Sequence, residues 1–277
     1  MRLTVLHRSA AVSVIEYRCE AGPAEPGFAE QYACSSLSYV REGSFGCHVG
    51  GVRHELVAGS VLTGRAGDEY ECTHEHHHGG DVCTSFQLSA ELNRGARPLV
   101  SGSLPPLAEL MVLGELAQAA AQAKSDCGVD EAALLFAARY ARLNDAKPAR
   151  SQRITASDRR RAIAAAHWIE AHAAEPIALT DVAHAVRLTP FHFLRLFSRV
   201  LGVSPHQYLV RTRLRTAARL LAEPERKVTE TAYAVGFADL SNFIRTFTRA
   251  AGLSPRAFQR AARGERKILQ ERLQLRV

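Results

Sequence analysis

The apolar positions fall into three regimes along the chain. From about Leu3 to Leu88 they come in short runs, at Ser36 to Val40, Gly46 to Val49, Val52 to Val57, Ser60 to Leu62 and Cys83 to Leu88. Gly-bearing turns divide them at Glu42-Gly43, Gly50-Gly51 and Gly79-Gly80-Asp81. Short, closely spaced strands predict a small barrel or sandwich, and Leu56 to Leu62 reads as a hairpin about Gly59. After Pro105-Pro106 the spacing becomes helical, with Leu107, Leu110, Met111, Gly114 and Ala117 in phase. A second helix follows over about Asp130 to Leu143, antiparallel to the first. The pair packs on the sheet or against its twin in a second subunit, and the pattern does not choose between them. The polar, basic, Pro-interrupted stretch from Asn144 to Ser157 reads as a linker. From Asp158 onward the chain is helical with short breaks.

The helical region repeats itself. Displaced by 50 residues, Phe193, Arg195, Phe197, Arg199, Gly202, Ser204 and Pro205 fall on Phe243, Arg245, Phe247, Arg249, Gly252, Ser254 and Pro255. Upstream the offset is 49, aligning Ala183 with Ala232, which puts one extra residue in the turn of the second unit. Each copy predicts a short support helix, a tight turn and a second helix, with Thr189 and Asp239 as N-caps. Phe193, Leu196, Phe197 and Val200 share one face of the first second-helix and make its core side. Its other residues, Thr189, Phe191, His192, Leu194, Arg195 and Arg199, remain outward. In the second copy the outward set is Leu240, Ser241, Asn242, Ile244, Arg245 and Arg249. A helix fits the DNA major groove, and Arg can bond guanine O6 and N7 together, so Arg195 and Arg245 are the leading base-reading candidates. Arg211, Arg213 and Arg215, on the helix joining the two copies, read as solvated charges or phosphate contacts.

Charge sharpens this division. The net charge of +7 conceals 13 Lys and Arg against 18 Asp and Glu in residues 1–150, and 22 against 10 in residues 151–277. A segment this basic suits a polyanionic partner. No apolar run approaches the ~20 residues that span a bilayer, and the first residues lack a signal-peptide layout, so a cytoplasmic protein with no membrane partner is expected. Five of six cysteines lie in the first third without CxxC spacing, and read as buried free thiols.

Over roughly Arg159 to Arg263 the chain resembles the AraC/XylS family of transcription regulators. The matching segments are Leu179-Thr180-Asp181-Val182-Ala183, Thr189 to Phe197 with Gly202-Val203-Ser204-Pro205, and Ala232 to Phe237 with Phe243 to Phe247 and Gly252 to Phe258. The resemblance implies a double helix-turn-helix domain that contacts promoter DNA and RNA polymerase, most often as an activator. It also implies a cupin-like barrel binding a small-molecule effector, and a homodimer formed through the helices at 105–145. Leu194 and Ile244 stand where a polar reader is more usual in the family, and suit thymine methyl groups.

His74-Glu75-His76-His77-His78 is the sharpest feature of the first half. A strand continuing through it would put Cys72, His74, His76 and His78 on one side, a donor set for zinc or another divalent metal. If Gly79-Gly80 ends the strand, the histidines instead hang in a solvated loop. A metal sensor, or a cupin-type metalloenzyme, is the alternative function. The enzyme is disfavoured, because such motifs space their His and Glu ligands over neighbouring strands, whereas these histidines are contiguous. A DNA-binding protein without a ligand is a third reading.

The sequence thus predicts an α+β fold. Residues 1–145 form a cupin-like sensing and dimerisation domain with a helical pair, 146–157 a linker, 158–263 an all-α double helix-turn-helix domain, and 264–277 a helical tail. The expected function is that of a non-enzymatic, sequence-specific transcription regulator.

Overall fold

The computed structural model describes residues 1–89, 99–144, 154–223, 225–265 and 268. The strands are β1 (Arg2–Arg8), β2 (Val12–Cys19), β3 (Phe28–Gln31), β4 (Ser36–Val49), β5 (Val52–Val57), β6 (Val61–Gly64), β7 (Glu69–Thr73), β8 (Asp81–Leu88) and β9 (Gly102–Leu104). The helices are α1 (Ala108–Ala121), α2 (Val129–Leu143), α3 (Ala156–Ala171), α4 (Leu179–Ala185), α5 (Pro190–Leu201), α6 (Pro205–Leu221), α7 (Val228–Ala234), α8 (Leu240–Ala251) and α9 (Pro255–Ala262). Most of the predicted linker, residues 145–153, lies outside the described residues, as does the predicted tail except for 264, 265 and 268. Thr155 caps α3 through the backbone N–H of Asp158, so the helical region starts at Ala156. Among the described residues no helix is long and apolar enough to cross a membrane.

The long strand β4 organises the sheet. Its first half pairs with β6 and β8, its second half with β5 and β7. The change of partner falls at a bulge between Val40 and Glu42, followed by Gly43 at φ +71°. A Cβ on Gly43 would lie 1.9 Å from the Gly80 carbonyl oxygen, so the bend depends on glycine there. Glu42-Gly43 is therefore a bend inside one strand, and not the turn expected between two. Gly50 and Gly51, both at positive φ, make the expected two-residue hairpin into β5.

The hairpin expected over Leu56 to Leu62 does not form. β5 and β6 both run antiparallel to β4, one after the other, because the Gly59 kink keeps the chain moving along that strand. The Gly59 N–H donates to Val40 O at 2.8 Å, and the Val40 N–H to Ser60 O at 2.9 Å. The sheet path β1-β2-β8-β4-β6-β9 has β1 and β9 at its ends, and no pairing joins them among the described residues. The closed cupin-like barrel of the expectation is corrected to an open, folded sheet.

Strand alternation gives the sheet two distinct faces. Ser36 and Ser38 of β4, with Cys83 and Ser85 of β8, turn towards a cavity. Leu37, Tyr39 and Phe86 on the opposite face pack against α1 and α2, with the Phe86 and Phe136 ring centroids 4.7 Å apart. The helical pair thus packs on the sheet. Its first member is also covered from the other side: α1 packs against α6 and α8, and ten of its fourteen residues are buried, which leaves it little surface for a second subunit.

Two buried polar clusters fasten the sheet domain to the helices beyond. Glu115 on α1 accepts from Tyr39 Oη at 3.1 Å, from Arg219 Nε on α6 at 3.1 Å, and from Arg41 at 3.5 Å. Burial alone would raise the Glu115 carboxyl, but Arg219 and Arg41 hold it below the ordinary range. In the second cluster Glu55 lies 2.9 Å from His77 Nε2 and 2.9 Å from Arg159 of α3. Ser44 Oγ bridges His77 Nδ1 at 2.8 Å and His167 Nε2 of α3 at 2.9 Å.

The His167 pKa is lowered by burial, with His77 and His78 adding to the effect and Glu170 opposing it. A depressed histidine means that the unfolded chain takes up its proton first. The stabilisation is complete above the unfolded value of about 6.5 and declines as pH falls below it. We expect urea midpoints to drop between pH 7.5 and 5, with a shallower drop in His167→Asn. Parallel profiles for the two proteins would contradict the assignment.

Candidate nucleic-acid interface

The two repeats fold into matching units. The support helices α4 and α7 each have seven residues, and α5 and α8 each have twelve. Four residues separate α4 from α5 and five separate α7 from α8, so the extra residue sits in the turn, as the change of offset predicts. In the first turn Arg187 takes the left-handed conformation at φ +56°, and Gly236 takes it in the second at φ +91°. A Cβ on Gly236 would lie 2.8 Å from the Ala174 carbonyl oxygen, so the second turn admits only glycine without a shift.

Capping repeats as well. The Thr189 side chain accepts from the His192 N–H, and Asp239 accepts from Ser241 N at 3.0 Å and Asn242 N at 2.8 Å. Gly202 and Gly252 end the two helices, both at φ +71°. Ser204 and Ser254 then cap α6 and α9, each followed by Pro at the first helical position.

The inward faces are aromatic and closed. Phe193 and Phe197 meet at 5.5 Å, and Tyr208 joins Phe197 at 5.7 Å. In the second unit Phe243 and Phe247 meet at 5.7 Å, with Phe258 at 5.4 Å from Phe247. Packing this face leaves the opposite side of each helix to solvent. Thr189, Phe191, His192, Leu194, Arg195 and Arg199 are exposed on the first unit, and Ser241, Asn242, Ile244, Arg245 and Arg249 on the second. Leu240 is half-buried against the main core. Phe191 is 69% exposed, which hydrophobic burial does not account for.

The arginines on these faces differ in engagement. The Arg195 guanidinium sits 5.6 Å from the Phe191 ring centroid, and Arg245 donates to Asn242 Oδ1 at 3.1 Å. Neither forms an ion pair among the described residues. Arg199 does, with Asp158 at 3.0 Å.

A family model described as "Helix-turn-helix domain" matches residues 182–261. The probable transcriptional regulator LumQ of Photobacterium leiognathi is 33% identical over 93 residues, 34% of this chain and 38% of that protein. The uncharacterized HTH-type transcriptional regulator YdeC of Bacillus subtilis is 36% identical over 94 residues, 34% of this chain and 32% of that one. The C-terminal region is an AraC-type helix-turn-helix domain. The chain spans only about a third of the length of these curated relatives, so the likeness concerns that domain. A solved probable AraC family transcriptional regulator from Rhodopseudomonas palustris is similar at 27% identity and a TM-score of 0.35, covering 37% of this chain and 97% of that one.

Inside the AraC-type domain, α6 corrects one expectation. Arg211, Arg213 and Arg215 are not a solvated or phosphate-facing stripe. Arg211 donates to the Pro106 carbonyl, Arg213 to Ala173 O at 2.7 Å and Glu175 O at 2.8 Å, and buried Arg215 lies 3.6 Å from Glu170. All three tie α6 to its neighbours.

The histidine tract also departs from both expectations for it. β7 ends at Thr73, so the tract is not strand, yet His74, His76 and His77 are buried. Cys72 stands opposite Cys47 in the β4 and β7 pairing. His78 is exposed, His76 makes no hydrogen bond among the described residues, and His77 serves the Glu55 cluster. The predicted metal set Cys72, His74, His76 and His78 is therefore dispersed. Only His74 and Cys72 reach the cavity of the sheet domain, which has a volume of about 270 Å³.

Proposed function

We propose that this protein is a sequence-specific DNA-binding transcription regulator whose α5 and α8 enter successive major grooves. One observation carries the reading: Arg195 and Arg245 occupy equivalent places on two matching helices, exposed and without ion pairs among the described residues. The curated relatives of the domain are themselves named as transcriptional regulators. The seventeen residues of α6 extend about 25 Å at ~1.5 Å per residue, a rigid spacer between the units. The surplus of positive charge in residues 151–277 suits phosphates.

In this reading the cavity of the sheet domain receives a small-molecule effector. Its ~270 Å³ lies just below the ~300–1,000 Å³ typical of sites for drug-sized ligands, which suits a small effector. Tyr32, on its wall, has a buried hydroxyl without a hydrogen-bond partner among the described residues. β4 is shared between the cavity, through Ser36 and Ser38, and the Glu115 cluster, through Tyr39. Binding on one face therefore has a short physical route to α6. Recruitment of RNA polymerase as an activator, and pairing as a homodimer through the open side of α2, belong to the same proposal.

Selection of duplexes from a random pool by the purified protein tests the DNA reading. Enriched sequences are expected to carry two conserved blocks about 10 base pairs apart, one helical turn. Enrichment indistinguishable from the starting pool would refute it.

A further inference from the structure

One set of metal-binding side chains converges on the wall of the cavity, from segments far apart in sequence. His74 Nε2 lies 3.6 Å from Cys19 Sγ and 3.8 Å from Asp81 Oδ1, and the donor atoms of all three residues fall within 4.8 Å of one another. Cys19 ends β2, Asp81 begins β8, and the register of those two strands places the pair directly opposite. His74 follows β7 and is 2% exposed, its ring stacked near Phe28 at 6.4 Å. We propose that Cys19, His74 and Asp81 hold one late transition-metal dication of the zinc class.

The chemistry of the set fits such an ion. Thiolate, imidazole and carboxylate are the usual zinc donors, and bond lengths of ~2.0–2.3 Å at tetrahedral angles separate neighbouring donors by ~3.5 Å. The observed 3.6 and 3.8 Å are close to that spacing. The buried His74 ring is otherwise poorly satisfied: its Nδ1 has no hydrogen-bond partner among the described residues, and its Nε2 meets only the two other donors. The Cys83 thiol donates to Asp81 Oδ2 at 3.7 Å, leaving Oδ1 aimed at His74. Three protein ligands leave one tetrahedral direction over, as in zinc sites that also bind a small molecule. All three residues line the cavity, so that direction is available to its contents. The ligand set differs from the contiguous histidine tract, of which it takes only His74. The inference does not rest on DNA binding.

Titration of the purified full-length protein with Co²⁺, followed by Zn²⁺ displacement against a chromophoric chelator, tests it. One equivalent of Co²⁺ is expected to bind, with a thiolate-to-cobalt charge-transfer band and visible bands of four-coordinate intensity. Cys19→Ser, close in shape, should abolish the charge-transfer band, and Asp81→Asn should weaken affinity by at least ~10–100-fold. His78→Ala, at an exposed position, should change neither. Absence of stoichiometric binding by the unaltered protein would overturn the proposal. So would binding that survives both Cys19→Ser and Asp81→Asn, or binding lost in His78→Ala, which would return the site to the histidine tract. Each measurement is made without DNA, so the outcome is separate from that of the duplex selection.

Discussion

Glu115→Ala is expected to lower the unfolding free energy by about 3–5 kcal/mol, the cost of leaving buried charges without their partner. The Glu115 side chain is 1% exposed and accepts from three donors that cannot all be satisfied elsewhere. Tyr39 is fully buried and would lose its hydroxyl's acceptor. The Arg41 side chain, 10% exposed, would keep only Glu16, at 3.8 Å, as an ion-pair partner among the described residues. Arg219, whose side chain is 41% exposed, can turn to water, so Arg219→Ala should cost less than half as much. Glu115→Gln preserves shape and one acceptor and should fall between them. Denaturant midpoints at pH 7 rank the three, and a Glu115→Ala loss under about 1 kcal/mol would show that the cluster is not closed to solvent. Because Glu115 stands on α1 between β4 and α6, the same substitution should loosen the sheet domain from the AraC-type domain, seen as faster amide exchange along α6.

What the sequence made legible was local. The 50-residue repeat, its aromatic inward faces and the caps at Thr189 and Asp239 depend on neighbours within a few residues, and each appears at its predicted place. What escaped depends on distant partners. Arg211, Arg213 and Arg215 resemble a solvated stripe because nothing nearby in sequence pairs with them, whereas their acceptors come from Pro106, Ala173, Glu175 and Glu170. Cys19 has no local spacing that marks it, being 55 residues from His74. The contiguous histidines drew attention to themselves, although the loop disperses them. Gly59 illustrates a third difficulty: a glycine between two apolar runs suggests reversal, but here the bend of β4 supplies pairing for both runs in succession.

Removing both Arg195 and Arg245 by alanine should weaken binding to a selected duplex by about 2–6 kcal/mol, roughly 30-fold to 10⁴-fold in affinity. Each bidentate contact to a base is worth ~1–3 kcal/mol of discrimination, and the two arginines stand on separate units, so their effects should add. Binding to unrelated DNA should fall much less, since phosphate contacts are sequence-independent and Arg199, Arg249 and the remaining basic residues stay in place. The ratio of specific to non-specific affinity is therefore the quantity to measure, at fixed salt. Arg199→Ala provides the contrast: its guanidinium is already held by Asp158 at 3.0 Å, and its loss should alter salt dependence more than base preference. Folding should be untouched by the double substitution, because the contacts of these arginines described above, to Phe191 and to Asn242, lie on their own exposed helix faces. If the doubly substituted protein keeps its selectivity at an unchanged unfolding midpoint, the outward faces of α5 and α8 are not where sequence is read. The reading surface would then have to be sought away from the repeat.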